Sequence, residues 1–175
     1  MCRPVRGVLA RAAASALVAA TLAAGAARAS DPEEPGYVAP KLGPSFRTTV
    51  ERAARRLDGA PCSSVLTEFV DGRTGRPLVE SLRETGMTAG AFLSSLYFLD
   101  GTGTPLCRQV GVLAHTLPGG RAVLVCREQF LTLERRDERS AARVLLHEAL
   151  HALGLKENPP SPWEIDQKVV DRCGW

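Results

Sequence analysis

A chain of 175 residues with 22 basic and 19 acidic side chains is long enough for one folded domain and short for two. Four arginines (Arg3, Arg6, Arg11, Arg28) and no acids fall in residues 1–29, so the remainder carries 18 bases against 19 acids and is close to neutral. It has no lysine/arginine stripe interleaved with aromatic residues, which argues against a nucleic-acid partner.

Residues 1–29 follow the order of a secretory signal peptide: early arginines, an alanine-rich apolar run over 12–24, then Ala27-Arg28-Ala29, with no acid before Asp31. An organelle transit peptide is the second reading of the same composition. The apolar run is too short for a stable membrane anchor. Cys2 precedes it and is not placed to take a lipid after cleavage. The mature protein is therefore expected to be secreted or periplasmic.

Residues 30–44 contain four prolines and little apolar material, and are expected to be an extended, mobile lead-in. A helix is predicted over 45–57, where Phe46, Val50, Ala53, Ala54 and Leu57 recur at helical spacing behind a Ser45 cap. Residues 65–70 read as a strand running into the turn Asp71-Gly72-Arg73-Thr74-Gly75. A short helix over 78–84 should stop at Gly86. Residues 91–99 fit either strand or helix, and Asp100-Gly101-Thr102-Gly103 closes them as a turn.

Residues 106–117 and 121–126 flank Pro118-Gly119-Gly120 and predict a β-hairpin. Behind the leader stand four cysteines, Cys62, Cys107, Cys126 and Cys173, an even count that suggests two disulfides. The hairpin brings Cys107 roughly opposite Cys126, which leaves Cys62 for Cys173. The absence of any CxxC pair argues against a zinc-thiolate knuckle.

Asp137, within the charged run ERRDER, is placed to cap a helix reaching to about Leu153, with Val144, Leu145, Ala149 and Ala152 as packing positions. A last helix starts at Ser161-Pro162-Trp163-Glu164, which has the pattern of a capping box. Its Ile165, Val169 and Cys173 share one face. Together these elements predict an α+β domain over 45–175: a small antiparallel sheet containing the hairpin packs on the 137–153 helix, flanked by N- and C-terminal helices.

That helix holds two of the chain's three histidines in the string His147-Glu148-Ala149-Leu150-His151. Residues four apart on a helix lie one above the other, so His147 and His151 can present two imidazole nitrogens to one ion. Glu148 stands beside them, where it can accept a proton from a bound water. This is the HExxH arrangement, and it predicts Zn²⁺ held by His147 and His151 with Glu148 as the catalytic base. A catalytic zinc needs a further protein ligand. Glu157, Glu164 and Asp166 are the nearby acids. Glu164 has a role in the capping box, and Asp166 lies off the apolar face of its helix and is expected in solvent.

The string His147 to Glu157, HExxHxxGxxE, resembles the metzincin-type zinc-peptidase motif HExxHxxGxxH, with glutamate in the last ligand position. The resemblance implies that Gly154 bends the chain so that Glu157 completes the metal site, and it makes Glu157 the favoured third ligand. The only methionines are Met1 and Met87, so no Met-turn follows the motif. The tail ENPPSPWEI with its late cysteine is also similar to small secreted bacterial proteins carrying HExxHxLGLxENPP, which implies the same zinc-peptidase site. His115 on the hairpin could reach a scissile carbonyl, but a plain strand role is favoured. Tyr37 and Tyr97 are candidate oxyanion donors with no spacing to recommend them over core or surface roles.

The expected function is a secreted zinc-dependent hydrolase acting on peptide or protein substrates through a zinc-bound water activated by Glu148. The alternative is a secreted, disulfide-stapled binding or inhibitor module whose zinc is structural or catalytically inactive.

Overall fold

The structure, a computed structural model, describes residues 36–175; the leader expected over 1–29 lies outside them. From Tyr37 onward the lead-in is anchored rather than mobile. Phe98 N–H donates to Tyr37 O at 2.6 Å and Ala39 N–H donates to Phe98 O at 2.9 Å, which buries Val38 against the sheet. Its prolines mask two buried apolar anchors, Val38 and Leu42. A 3₁₀ turn at Pro40–Leu42 leads into α1 (Gly43–Asp58), which buries Phe46, Val50, Ala53, Ala54 and Leu57 as their spacing predicts. α1 starts at Gly43 rather than behind a Ser45 cap. Pro44 sits in its first turn, where a missing N–H costs no helical hydrogen bond.

α2 (Ala60–Ser63) and the 3₁₀ turn Ser64–Thr67 replace the strand expected over 65–70. The adjacent residues Val65 and Leu66 are both buried, whereas a strand would send them to opposite faces. Helical winding also holds Cys62 against Cys173, with Cα atoms 4.1 Å apart in a disulfide. α3 (Leu78–Thr85) ends, as expected, at Gly86 with φ +74°. The ambiguous 91–99 run is both things in turn: α4 (Ala89–Ser94), capped by the Thr88 side chain, then β1 (Tyr97–Asp100).

β2 (Ala114–Thr116) and β3 (Ala122–Val125) form the predicted hairpin. The sheet is mixed rather than antiparallel: β3 inserts between β1 and β2, pairing parallel to β1 and antiparallel to β2. The loop from β1 to β2 is long enough to let β3 take the central place. Cys107 lies in that loop, in a 3₁₀ turn at Leu106–Arg108, and its disulfide to Cys126 pins the loop to the start of the next helix. That helix, α5 (Arg127–Arg136), was not apparent in the sequence because the charged run ERRDER hides a helix end and a helix start. Asp137, at φ −153°, breaks the chain between them. Its carboxylate then accepts from Arg139 and Ser140 N–H and caps the start of α6 (Glu138–Ala152).

α6 runs through the middle of the domain against α1, α4, α5, β2 and the last helix, α7 (Pro162–Cys173). Ala141, Ala142, Leu145, Leu146, Ala149 and Leu150 are all buried, so the HExxH string rides on a helix fixed on most of its circumference. α7 begins with the predicted capping box and buries Ile165, Val169 and Cys173. Lys168 and Arg172 on α7 both pair with Glu68. No helix among the described residues is long and apolar enough to cross a membrane.

Candidate metal centre

α6 ends just past the second histidine, and the way it ends builds the site. Gly154 N–H donates to His151 O at 2.8 Å and Leu155 N–H to Leu150 O at 3.1 Å, the pair of bonds of a Schellman motif. Gly154 has φ +113°, and a Cβ there would lie 2.7 Å from Asp71 Cγ, so only glycine fits. The reversed chain sends Lys156 and Glu157 back along the helix. Asn158, in the left-handed region at φ 57°, closes the turn with its N–H on Pro160 O at 2.8 Å.

The result brings His147, His151 and Glu157 together. Glu157 Oε1 lies 3.1 Å from His147 Nε2 and 3.1 Å from His151 Nε2, and the two Nε2 atoms are 3.0 Å apart. The opposite edge of each ring faces an oxygen: His147 Nδ1 lies 3.0 Å from Asp166 Oδ1, and His151 Nδ1 lies 2.8 Å from Leu155 O. Both oxygens are acceptors, so both rings carry their proton at Nδ1 and turn a lone pair outward at Nε2. With both rings neutral in that tautomer, two lone pairs and a carboxylate oxygen converge, an arrangement that either a proton on one Nε2 or a bound cation relieves. Ligands placed tetrahedrally about 2.0–2.1 Å from zinc are roughly 3.3 Å apart, close to this spacing. The donor set, two neutral imidazoles and one carboxylate, is one that catalytic zinc sites use. The residues present therefore fit the ion.

Asp166 is part-exposed, as its position on α7 suggested, but it is not free of the site. Its carboxylate holds the far edge of the His147 ring, because α7 crosses α6 at that point. Glu164 takes the bland role foreseen for it, bonding Ser161 in the capping box.

Glu148 is 5 % exposed, and its Oε2 has no hydrogen-bond partner. Burial raises its pKa to about 7; His147 and Thr116 pull it down, and the charges of Glu157 and Asp166 push it up. The Thr116 effect is weak, since Thr116 Oγ1 itself makes no hydrogen bond. Burial also works against charge on both histidines. His151 falls below the usual imidazole value. At His147 burial is the largest single influence, but it is outweighed by the Asp166 hydrogen bond together with the charges of Glu148 and Asp166 and the Glu157 hydrogen bond, so its pKa is raised.

The triad lies in an open cleft of about 450 Å³. One wall is apolar, with Leu106, Val112, Leu113, Val144 and Pro162 among its residues. β2 runs along the cleft as the free edge of the sheet. Cys126 N–H donates to Leu113 O at 2.9 Å, and the β2–β3 register then alternates, so the N–H and C=O of Ala114 and Thr116 point away from β3. His115 lines the cleft half-buried. Tyr37 and Tyr97 sit by β1, at the other side of the sheet from β2, and do not line it. The Asp166 contact with His147 was not foreseen, because it depends on tertiary placement that no local spacing signals.

No protein-family model matches the sequence, and neither a curated protein nor a solved structure matches it.

Proposed function

We propose that the chain is a zinc-dependent hydrolase that cleaves peptide bonds outside the cytoplasm. One observation carries the reading: Nε2 of His147, Nε2 of His151 and Oε1 of Glu157 converge within 3.1 Å of one another at an open cleft, with a buried carboxylate, Glu148, next in the chain to the first of them. Two disulfides and a leader-like sequence support an extracytoplasmic setting. The HExxHxxGxxE string supports a zincin-type assignment.

His147, His151 and Glu157 would hold the metal. When bound, zinc polarises a carbonyl and lowers the pKa of a coordinated water to about 7. Glu148 is the general base: its buried carboxyl, with no hydrogen-bond partner at Oε2, can accept a proton and return it to the leaving amine. Asp166 and Leu155 O hold the two rings with their Nε2 lone pairs facing the ion. The outward N–H and C=O groups of Ala114 and Thr116 can pair with an extended peptide along β2. The apolar wall favours an uncharged side chain beside the bond to be cut.

The test is hydrolysis of a mixed peptide pool by the mature protein, with and without chelator, beside Glu148→Gln. The reading expects chelator-sensitive cleavage that disappears in the variant. Zinc binding without cleavage of any peptide favours the alternative of a binding module braced by its metal. Cleavage by Glu148→Gln at the wild-type rate contradicts the role given to Glu148.

A further inference from the structure

The turn at residues 70–77 contributes no ligand and does not line the cleft, yet it holds the segment on which His151 depends. Asp71 pairs with Leu155 in an antiparallel bridge, and Gly72 N–H donates to Gly154 O at 3.0 Å. Lys156 Nζ donates to Gly72 O at 2.9 Å. Gly154, Leu155 and Lys156 are thus all gripped by this turn. Leu155 is also the residue whose carbonyl lies 2.8 Å from His151 Nδ1.

Asp71 organises the turn. Its side chain is 3 % exposed, its Oδ1 accepts from Arg73 N–H at 2.7 Å, and its backbone O accepts from Gly75 N–H at 2.8 Å. Its carboxyl occupies the space that a side chain at position 154 would need. Arg73 reaches across to Gly119 of the β2–β3 turn, and Gly119 N–H donates to His151 O at 2.8 Å. The ring and the backbone of His151 are therefore both tied to elements that meet at this turn.

We propose that Asp71 is a positioning residue for the metal site. It fixes the Leu155 carbonyl, and through it the tautomer and tilt of the His151 ring, from outside the coordination sphere. This inference rests on the reading of His147, His151 and Glu157 as metal ligands.

The experiment compares the full mature chain with Asp71→Ala, Asp71→Asn and Lys156→Met. Zinc affinity is read by competition with a chromophoric chelator, and geometry by the visible absorption of the cobalt(II)-loaded protein. Asp71→Ala is expected to weaken zinc about tenfold or more and to alter the cobalt bands. Asp71→Asn keeps an acceptor for Arg73 N–H and is expected to restore both. Phe130→Leu, which loosens the core in α5, is the control that lowers thermal stability and leaves zinc affinity as it was. Lys156→Met loses the tie to Gly72 O and is expected to weaken zinc in the same direction; it decides the matter if Asp71→Ala does not fold. Wild-type zinc affinity and cobalt bands in both Asp71→Ala and Lys156→Met overturn the proposal. A wild-type chain that binds neither metal overturns the underlying metal reading instead.

Discussion

His147 Nδ1 lies 3.0 Å from Asp166 Oδ1, across the contact between α6 and α7. The carboxylate fixes the ring tautomer and makes Nε2 a better donor to a cation. Asp166 is 43 % exposed, so truncating it leaves the core untouched. Asp166→Ala should therefore keep the fold and bind zinc about 10- to 100-fold more weakly, measured by chelator competition.

Glu148→Gln should lower turnover by on the order of 10²- to 10⁴-fold and retain zinc, because the converging atoms are those of His147, His151 and Glu157 and the Glu148 Oε2 has no hydrogen-bond partner. It also carries a pH signature in the metal-free protein. The folded-state pKa of Glu148 is raised from 4.5 to about 7, so ionising it opposes folding, increasingly from pH 4.5 up to 7. Chelator-treated Glu148→Gln should thus lose less stability than wild type between pH 5 and pH 8, read as the change in thermal midpoint.

Glu68 binds Lys168 and Arg172 and fastens α7 to the turn after α2. The Lys168 hydrogen bond, acting against partial burial and helped by Arg172, holds its pKa below 4.5. A depressed acid contributes stability above its unfolded pKa and loses it as pH falls through the folded value. Glu68→Gln should cost about 1 kcal/mol at pH 7 and progressively less as the pH falls below 4.5, measured by urea unfolding.

The Cys62–Cys173 disulfide closes a loop with a sequence separation of 111 and anchors the end of α7. The double variant Cys62→Ser/Cys173→Ser should lose about 2–5 kcal/mol of stability. Because α7 carries Asp166, its zinc affinity should fall as well, which calorimetric titration would show.

Much of this site was written locally. The i, i+4 histidines, the glycine after the helix and the acid three residues later form one continuous stretch: helix geometry predicts that His147 and His151 face one point, and the resemblance to the zinc-peptidase motif singled out Glu157 among the nearby acids. Asp137 and Ser161 announced their helices for the same reason, since a cap acts within a few residues. The disulfide partners were also legible, although Cys107 meets Cys126 from a loop and not from a strand. What stayed hidden depends on how distant elements pack. Asp166 reaches His147 only because α7 crosses α6. Val65 and Leu66 gave up strand geometry to bury together. The parallel pairing of β1 with β3 comes from a long loop that leaves the central position free. Asp71 looked like any turn residue until Gly154 came to rest against it.

The most direct measurement is the zinc content and affinity of the mature protein purified without chelator, beside His147→Ala and His151→Ala. The account predicts one tightly held zinc per chain in the wild type and its loss from both variants. A wild-type chain that stays free of zinc after loading and dialysis, or variants that keep it, would contradict the account.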